Sequence, residues 1–253
     1  MWKNNHGQNR KRRTEEETHL HPKNSKEDEM TTPSIIIGVD ESGRGSLAGP
    51  LVVCAVAFLR EEQPVTAAYH SLRGDKVVTA GDSKSFSNPV HREVLDQAIR
   101  SVALGYTVIE RSASEIDARL MFHVFPESLH LAISRLLEQL LAKGFSKNPQ
   151  DYLVMVDGDV PLPQGLGCPM RAVIDGDKLV WQIGAASIVA KVACDAKMVA
   201  LHEQYPKYDF AKNKGYPVHA HKKVLKALGP SPVHRKTFRP VAEALGLPPG
   251  FEA

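Results

Sequence analysis

Residues 35–45 read Ile35-Ile36-Ile37-Gly38-Val39-Asp40-Glu41-Ser42-Gly43-Arg44-Gly45, and this stretch decides the fold. A β-branched run favours an extended, buried strand. It ends in two adjacent carboxylates that are costly to bury unless something positive meets them. Neighbouring strand residues point to opposite faces. Asp40 and Glu41 therefore serve one site only if the chain leaves the strand near Glu41, and Gly43 and Gly45 permit that. A solvated turn would carry the same letters. The apolar strand before the pair and the apolar run Leu51–Leu59 after it argue for a strand–loop–strand unit instead.

Working outward, further strands are expected at Leu51–Leu59, Val102–Glu110, Tyr152–Val156 and Arg171–Ile174, with the first strand at Ile35–Asp40. The first two would form a hairpin across the glycine-rich loop, too long for a tight turn. Helices are expected at Pro89–Arg100, Ser114–Leu120, Glu127–Lys143, Gly184–Tyr205 and His219–Leu228. Asn88 is placed to cap the first of these, with Pro89 at the opening helical position. Strands come early and helices dominate late, which fits one sheet flanked by helices.

Two more apolar strands end in acids. Asp157 follows Tyr152–Val156, and Asp175 and Asp177 flank Gly176 after Ala172-Val173-Ile174. A core has no need of that arrangement. Clustered carboxylates repel unless a divalent cation sits among them, and oxygen donors without His or Cys point to Mg²⁺ or Mn²⁺. Two such ions roughly 4 Å apart would suit phosphodiester cleavage. Candidate phosphate contacts are Lys84 in Gly81-Asp82-Ser83-Lys84, and Ser187 with Lys191, which share a helical face. Lys214-Gly215-Tyr216-Pro217 sets a cation beside a ring able to stack on a sugar or base.

The 253-residue chain is 42% apolar, enough for a substantial core, with a net charge of +3. Residues 202–240 carry nine cations (Lys207, Lys212, Lys214, Lys222, Lys223, Lys226, Arg235, Lys236, Arg239) against Glu203 and Asp209, as a polyanionic partner would require. Residues 1–32 mix dense charges with almost nothing to bury and read as a disordered tail ahead of one folded domain, 33–253. Three cysteines without metal-ligand spacing suit a reducing compartment and free thiols. Neither a secretory signal core nor an apolar run of about 18 residues is present, so a cytoplasmic monomer away from membranes is expected.

Asp40-Glu41-Ser42-Gly43-Arg44-Gly45, Asp82-Ser83-Lys84, Val156-Asp157-Gly158, Gly176-Asp177, Ala185–Lys191, Lys214–Pro217 and His234-Arg235-Lys236-Thr237-Phe238 together resemble, in order, the motifs of ribonuclease HII. The resemblance spans about residues 35–246. It implies a ribonuclease H-like fold: a mixed five-stranded sheet flanked by helices, with a helical, substrate-binding C-terminal segment at about 202–246. It implies cleavage of the RNA strand of RNA–DNA hybrids and incision 5′ of single ribonucleotides in duplex DNA, leaving 3′-hydroxyl and 5′-phosphate ends. Asp40, Glu41, Asp157 and Asp177 would hold two Mg²⁺ or Mn²⁺ ions, with Asp40 bridging. Gly43-Arg44-Gly45 would read the 2′-hydroxyl, Tyr216 would stack at the junction, and Lys84, Ser187 and Lys191 would contact phosphates. The motif order favours Asp177 over Asp175 and gives Asp195 a structural or supporting place. Leu120 stands where the family often has Asn, and Ala193-Cys194 replaces the usual Thr-Arg. The histidines read as ordinary polar residues. Ribonuclease HIII, the sister family, would need a folded N-terminal domain that residues 1–32 are too short and polar to supply.

Overall fold

The computed structural model describes residues 33–60 and 88–248. The charged tail and the Gly81–Lys84 loop lie outside the described residues. Five strands form one sheet: β1 (Ile35–Ser42), β2 (Leu51–Leu59), β3 (Gly105–Arg111), β4 (Tyr152–Asp157) and β5 (Met170–Val173). Their order is β3-β2-β1-β4-β5. β1 pairs antiparallel with β2, and β2 with β3, whereas the β1–β4 and β4–β5 pairings are parallel. This is the mixed five-stranded sheet expected from the sequence.

Alternation along β2 divides the core. Leu51, Val53, Ala55 and Ala57 face one cluster with α3 (Met121–Ala142), where Leu129, Ile133 and Leu136 are fully buried. Val52, Cys54, Val56 and Phe58 face the other, against α1 (Pro89–Val102) and α5 (Trp181–Gln204). Burying an aliphatic side chain is worth about 1.5–3 kcal/mol, so a one-residue slip of β2 would cost both layers at once.

Gly38 sets how closely α5 lies on the sheet. A Cβ there would stand 2.1 Å from the backbone C and O of Gln182. Only a residue without a side chain lets the first turn of α5 rest on β1.

Several boundaries differ from expectation for local reasons. Asn88 caps α1 as expected, its side chain accepting from Val90 N. The helix then continues to Val102, so β3 begins only at Gly105. α2 (Ala113–Arg119) is set by a Ser112–Glu115 capping box. α3 starts at Met121 and carries Pro126 inside it, six residues before the expected start. The buried side chains of Val124, Phe125 and Leu129 hold that first turn in place despite the proline. Between α2 and α3, Leu120 takes φ 61°, a region that costs a non-glycine residue about 1–3 kcal/mol. After β5 come the one-turn α4 (Gly176–Leu179), α5, α6 (Phe210–Asn213), α7 (His219–Leu228) and α8 (Arg239–Ala244). Among the described residues no helix is long and apolar enough to cross a membrane.

Gly38→Ala is expected to destabilise the protein by about 3 kcal/mol, because the clash is with backbone that cannot swing away. Urea unfolding would read this, and an unchanged midpoint would disprove the close-approach argument.

Candidate active site

The site opens where the parallel part of the sheet ends. Val39 pairs with Val156, and one residue further on each strand stand Asp40 and Asp157. Contrary to expectation, β1 continues through Glu41 and Ser42, which pair with Val53 and Val52 of β2. Both acids nevertheless reach one cleft. The pairing with β4 stops at Val39, so the strand has an open side there, and Asp40 and Glu41 both line the notch.

Each carboxylate is supported from its own side. Asp40, 5% exposed, accepts a hydrogen bond from the Ser187 hydroxyl of α5 and from Glu41 N at 2.7 Å. Glu41 pairs with Arg44 at 3.5 Å. The Arg44 guanidinium lies 4.2 Å from the ring centroid of Phe125 on α3, an aromatic face that attracts a cation. Asp157 Oδ1 accepts from Asp177 N at 3.1 Å, which ties the α4 turn to the end of β4. Asp175, in the left-handed conformation, is exposed and pairs with Lys178 at 2.6 Å, whereas Asp177 is buried and lines the cleft. That separates the two acids the sequence left in competition.

Burial pushes the Asp40 carboxyl well above its ordinary range, and the charges of Glu41 and Asp157 push it further; the Ser187 hydrogen bond works against them. Burial also raises Glu41, with Arg44 opposing and Asp157 adding to the rise. Such a set favours protons or a cation over bare negative charge. Its all-oxygen chemistry fits a hard divalent ion. Among the described residues, no three such side chains stand as a ready-made coordination group.

Asp40, Glu41, Gly43, Arg44, Gly45, Asp157, Asp177, Ser187, Lys191 and Tyr216 line this one cleft of about 450 Å³, joined by Ser42. Lys84 lies outside the described residues. Lys191 is held by Asp195 at 2.7 Å, and Asp195 also meets Arg92 of α1 at 3.3 Å. The Lys191 ammonium is 5.6 Å from the Tyr216 ring centroid. Of the basic stretch, Lys207, Lys212, Lys222, Lys223, Lys226, Lys236 and Arg239 are exposed, but Arg235 is not on the surface at all.

Arg235 is fully buried. Its Nε and one terminal nitrogen donate to the carbonyl of Gly49 at 3.0 and 2.9 Å, and the other nitrogen donates to that of Arg44 at 3.0 Å. Leu47 N donates to Gly215 O at 2.7 Å and Arg235 N to Leu47 O at 2.8 Å. The glycine-rich loop is thereby stitched to the C-terminal segment. Asp117 of α2 secures that segment by accepting from Lys236 N, Thr237 N and Thr237 Oγ1. The sequence pattern alone assigns His234–Phe238 no role. The available signal was an arginine set between apolar Val233 and Phe238 in a stretch otherwise rich in lysine.

A family model described as Ribonuclease HII matches residues 37–241. The chain belongs to the ribonuclease HII family. Ribonuclease HII of Nitrosococcus oceani is 42% identical over 210 residues, covering 83% of this chain and 91% of that protein. Among solved structures, ribonuclease H2 of Pyrococcus horikoshii OT3 superposes with a TM-score of 0.61 at 23% identity, covering 83% of this chain and 96% of that one. Bst-RNase HIII in complex with Mn²⁺ gives 0.56 at 18%, covering 85% and 71%. At those identities the two structures speak for the fold. The protein is a hydrolase of ribonuclease H type.

Arg235→Lys keeps the charge but loses the planar fork that spans two carbonyls. It is expected to lower stability by about 2 kcal/mol and to reduce cleavage at least tenfold. Urea unfolding and a cleavage assay read the two effects; wild-type values in both would contradict the tether.

Proposed function

We propose that the cleft hydrolyses the RNA strand of RNA–DNA hybrids and incises duplex DNA on the 5′ side of a single embedded ribonucleotide, leaving 3′-hydroxyl and 5′-phosphate ends. Asp40, Glu41, Asp157 and Asp177 would hold two divalent ions, Mg²⁺ or Mn²⁺, with Asp40 shared between them. When bound, such ions activate water and stabilise the leaving oxygen.

The observation that carries the reading is the contrast between the two glycines around Arg44. Gly43 is required by the fold: its φ is 82°, and a Cβ would stand 2.5 Å from Pro50 O. Gly45 has no such reason, because a Cβ there meets nothing within 4 Å and its backbone lies outside the left-handed region. A bare backbone that the fold does not demand, beside buried carboxylates, leaves room for a ligand to approach the main chain. The 2′-hydroxyl of a ribose is the group that marks RNA against DNA and suits that approach. Arg44, about half exposed, is held beside the loop by Glu41 and Phe125. Tyr216 would stack on the sugar following the ribonucleotide, and Ser187 and Lys191 would position phosphates without reading sequence. The exposed lysines of α7 and its neighbours supply attraction for the duplex backbone.

A DNA duplex holding one ribonucleotide, with all-DNA and all-RNA controls, tests the reading. Cutting 5′ of the ribonucleotide that depends on Mg²⁺ or Mn²⁺ is expected, and Asp40→Asn should abolish it. Binding without cutting in either metal would sink it.

Gly45→Ala separates fold from recognition. Stability should stay within about 0.5 kcal/mol, as for a surface change, while kcat/KM on the single-ribonucleotide duplex falls at least tenfold. Unimpaired cleavage would remove the close-approach argument.

A further inference from the structure

Tyr216 enters the cleft from a turn whose backbone is held by two buried histidines. Ser231 N donates to His234 Nδ1 at 3.0 Å. An amide can only donate, so His234 accepts at Nδ1 and carries its proton on Nε2. That nitrogen lies 3.0 Å from His221 Nε2, which must therefore accept. The His221 proton is then on Nδ1, 2.9 Å from the carbonyl oxygen of Tyr216, a group that only accepts. Donation thus runs in one direction, from Ser231 through His234 and His221 to Tyr216.

The surroundings hold both rings neutral. His221 and His234 are 0% and 1% exposed. Tyr208 and Phe210 pack on the His234 ring, and Phe210 meets His221 edge-on. Burial, followed by the facing ring of His221, pushes His234 down to about 4, and burial lowers His221 as well. A proton added to His221 would set two N–H groups head to head across the Nε2–Nε2 contact, and one added to His234 would set its Nδ1–H against the Ser231 N–H. The neighbour of His234 is Arg235, whose guanidinium holds the carbonyls of Arg44 and Gly49. One dipeptide therefore sends a side chain toward each of two cleft elements: the Gly43–Gly49 loop directly, and the Tyr216 turn through His221.

We propose that His221 and His234 are positioning residues, a neutral imidazole relay anchored on Ser231 that fixes the Tyr216 main chain and so sets its ring for an RNA–DNA junction. The inference rests on the reading of Tyr216 as a substrate contact. It makes the two histidines determinants of the preference for single ribonucleotides, although neither lines the cleft.

Nitrogen NMR of ¹⁵N-histidine-labelled protein at pH 7 tests the relay without any substitution. The expected result is an Nε2–H tautomer for His234 and an Nδ1–H tautomer for His221; a reversed or charged ring in either place overturns the proposal. His234→Phe keeps bulk and removes the donor, whereas His234→Gln restores an amide N–H near Nε2. Amide exchange over residues 215–218 should quicken at least tenfold in His234→Phe and slow again in His234→Gln. The ratio of kcat/KM on the single-ribonucleotide duplex to that on a long hybrid should fall and recover in step. On a Tyr216→Ala background, His234→Phe should change that ratio less than twofold. If His234→Phe fails to fold, the tautomers and His234→Gln carry the test. Unchanged exchange in folded His234→Phe overturns the relay, as does quickened exchange with an unchanged ratio when Tyr216→Ala alone shifts it. If Tyr216→Ala leaves the ratio unchanged, the substrate reading of Tyr216 falls instead, while the exchange and tautomer results still decide the relay.

Discussion

A fully buried guanidinium must find acceptors inside the protein, and Arg235 finds them on the backbone of Arg44 and Gly49. Leaving such a charge unmet would cost several kcal/mol. The loop therefore has to present those two carbonyls inward, and this constraint fixes how its remaining groups face the cleft. It also joins residues 191 positions apart in sequence. The C-terminal segment, by this tie and by the Ala48–His234 bridge, forms part of the wall of the candidate active site. One segment thus carries both a row of exposed lysines and the buried arginine that sets the loop geometry.

The carboxylates impose a second constraint that works against stability. Asp40 and Glu41 both sit where burial favours the protonated form, and Asp157 adds repulsion to each. A carboxyl whose folded pKa is raised stabilises the fold only at low pH, and that contribution is lost as pH rises through the raised value. At neutral pH the cluster is a liability that a divalent cation would relieve. Packing from both sheet faces holds it: Ser187 of α5 behind Asp40, and Arg44 on Phe125 of α3 beside Glu41. The close seat of α5 at Gly38 brings Ser187 and Lys191 to the cleft.

What the sequence disclosed follows from what local patterns encode. Apolar runs ending in acids, β-branched in β1, marked β1 and β4, because strand propensity and the cost of a charge are both local properties. Asn88-Pro89 marked the start of α1 for the same reason. The start of α3 was hidden because Pro126 signals a helix boundary, while the buried contacts of Phe125 and Leu129 that override it are tertiary. Glu41 was expected to need a strand exit; the opening instead comes from β4 ending at Asp157, a property of the neighbouring strand. The motif order already favours Asp177 over Asp175; the left-handed turn at Asp175 that exposes it and leaves Asp177 buried is the part letters do not show. Arg235, His221 and His234 were the least legible. Whether a polar side chain is solvated or buried depends on what folds over it: the Arg44–Gly49 loop meets Arg235, and Tyr208 and Phe210 pack on the histidines.

The two glycines of the Gly-Arg-Gly loop then separate fold from function. Gly43 is explained fully by backbone angle and by the proximity of Pro50, so its presence says nothing about substrate. Gly45 is explained by neither. A residue type that costs conformational entropy on folding and relieves no clash has to be justified by something outside the folded chain. The cleft puts that position beside Asp40 and Glu41, where a scissile phosphate would lie. Metal chemistry at the acids would act on any phosphodiester within reach. On the proposed reading, selectivity would come from surfaces that bring one kind of sugar there, namely a bare stretch of main chain on one side and Tyr216 on the other. Neither surface is held by its own local sequence: the first is gripped by Arg235 and the second by His221, whose partner His234 is the residue next to that arginine.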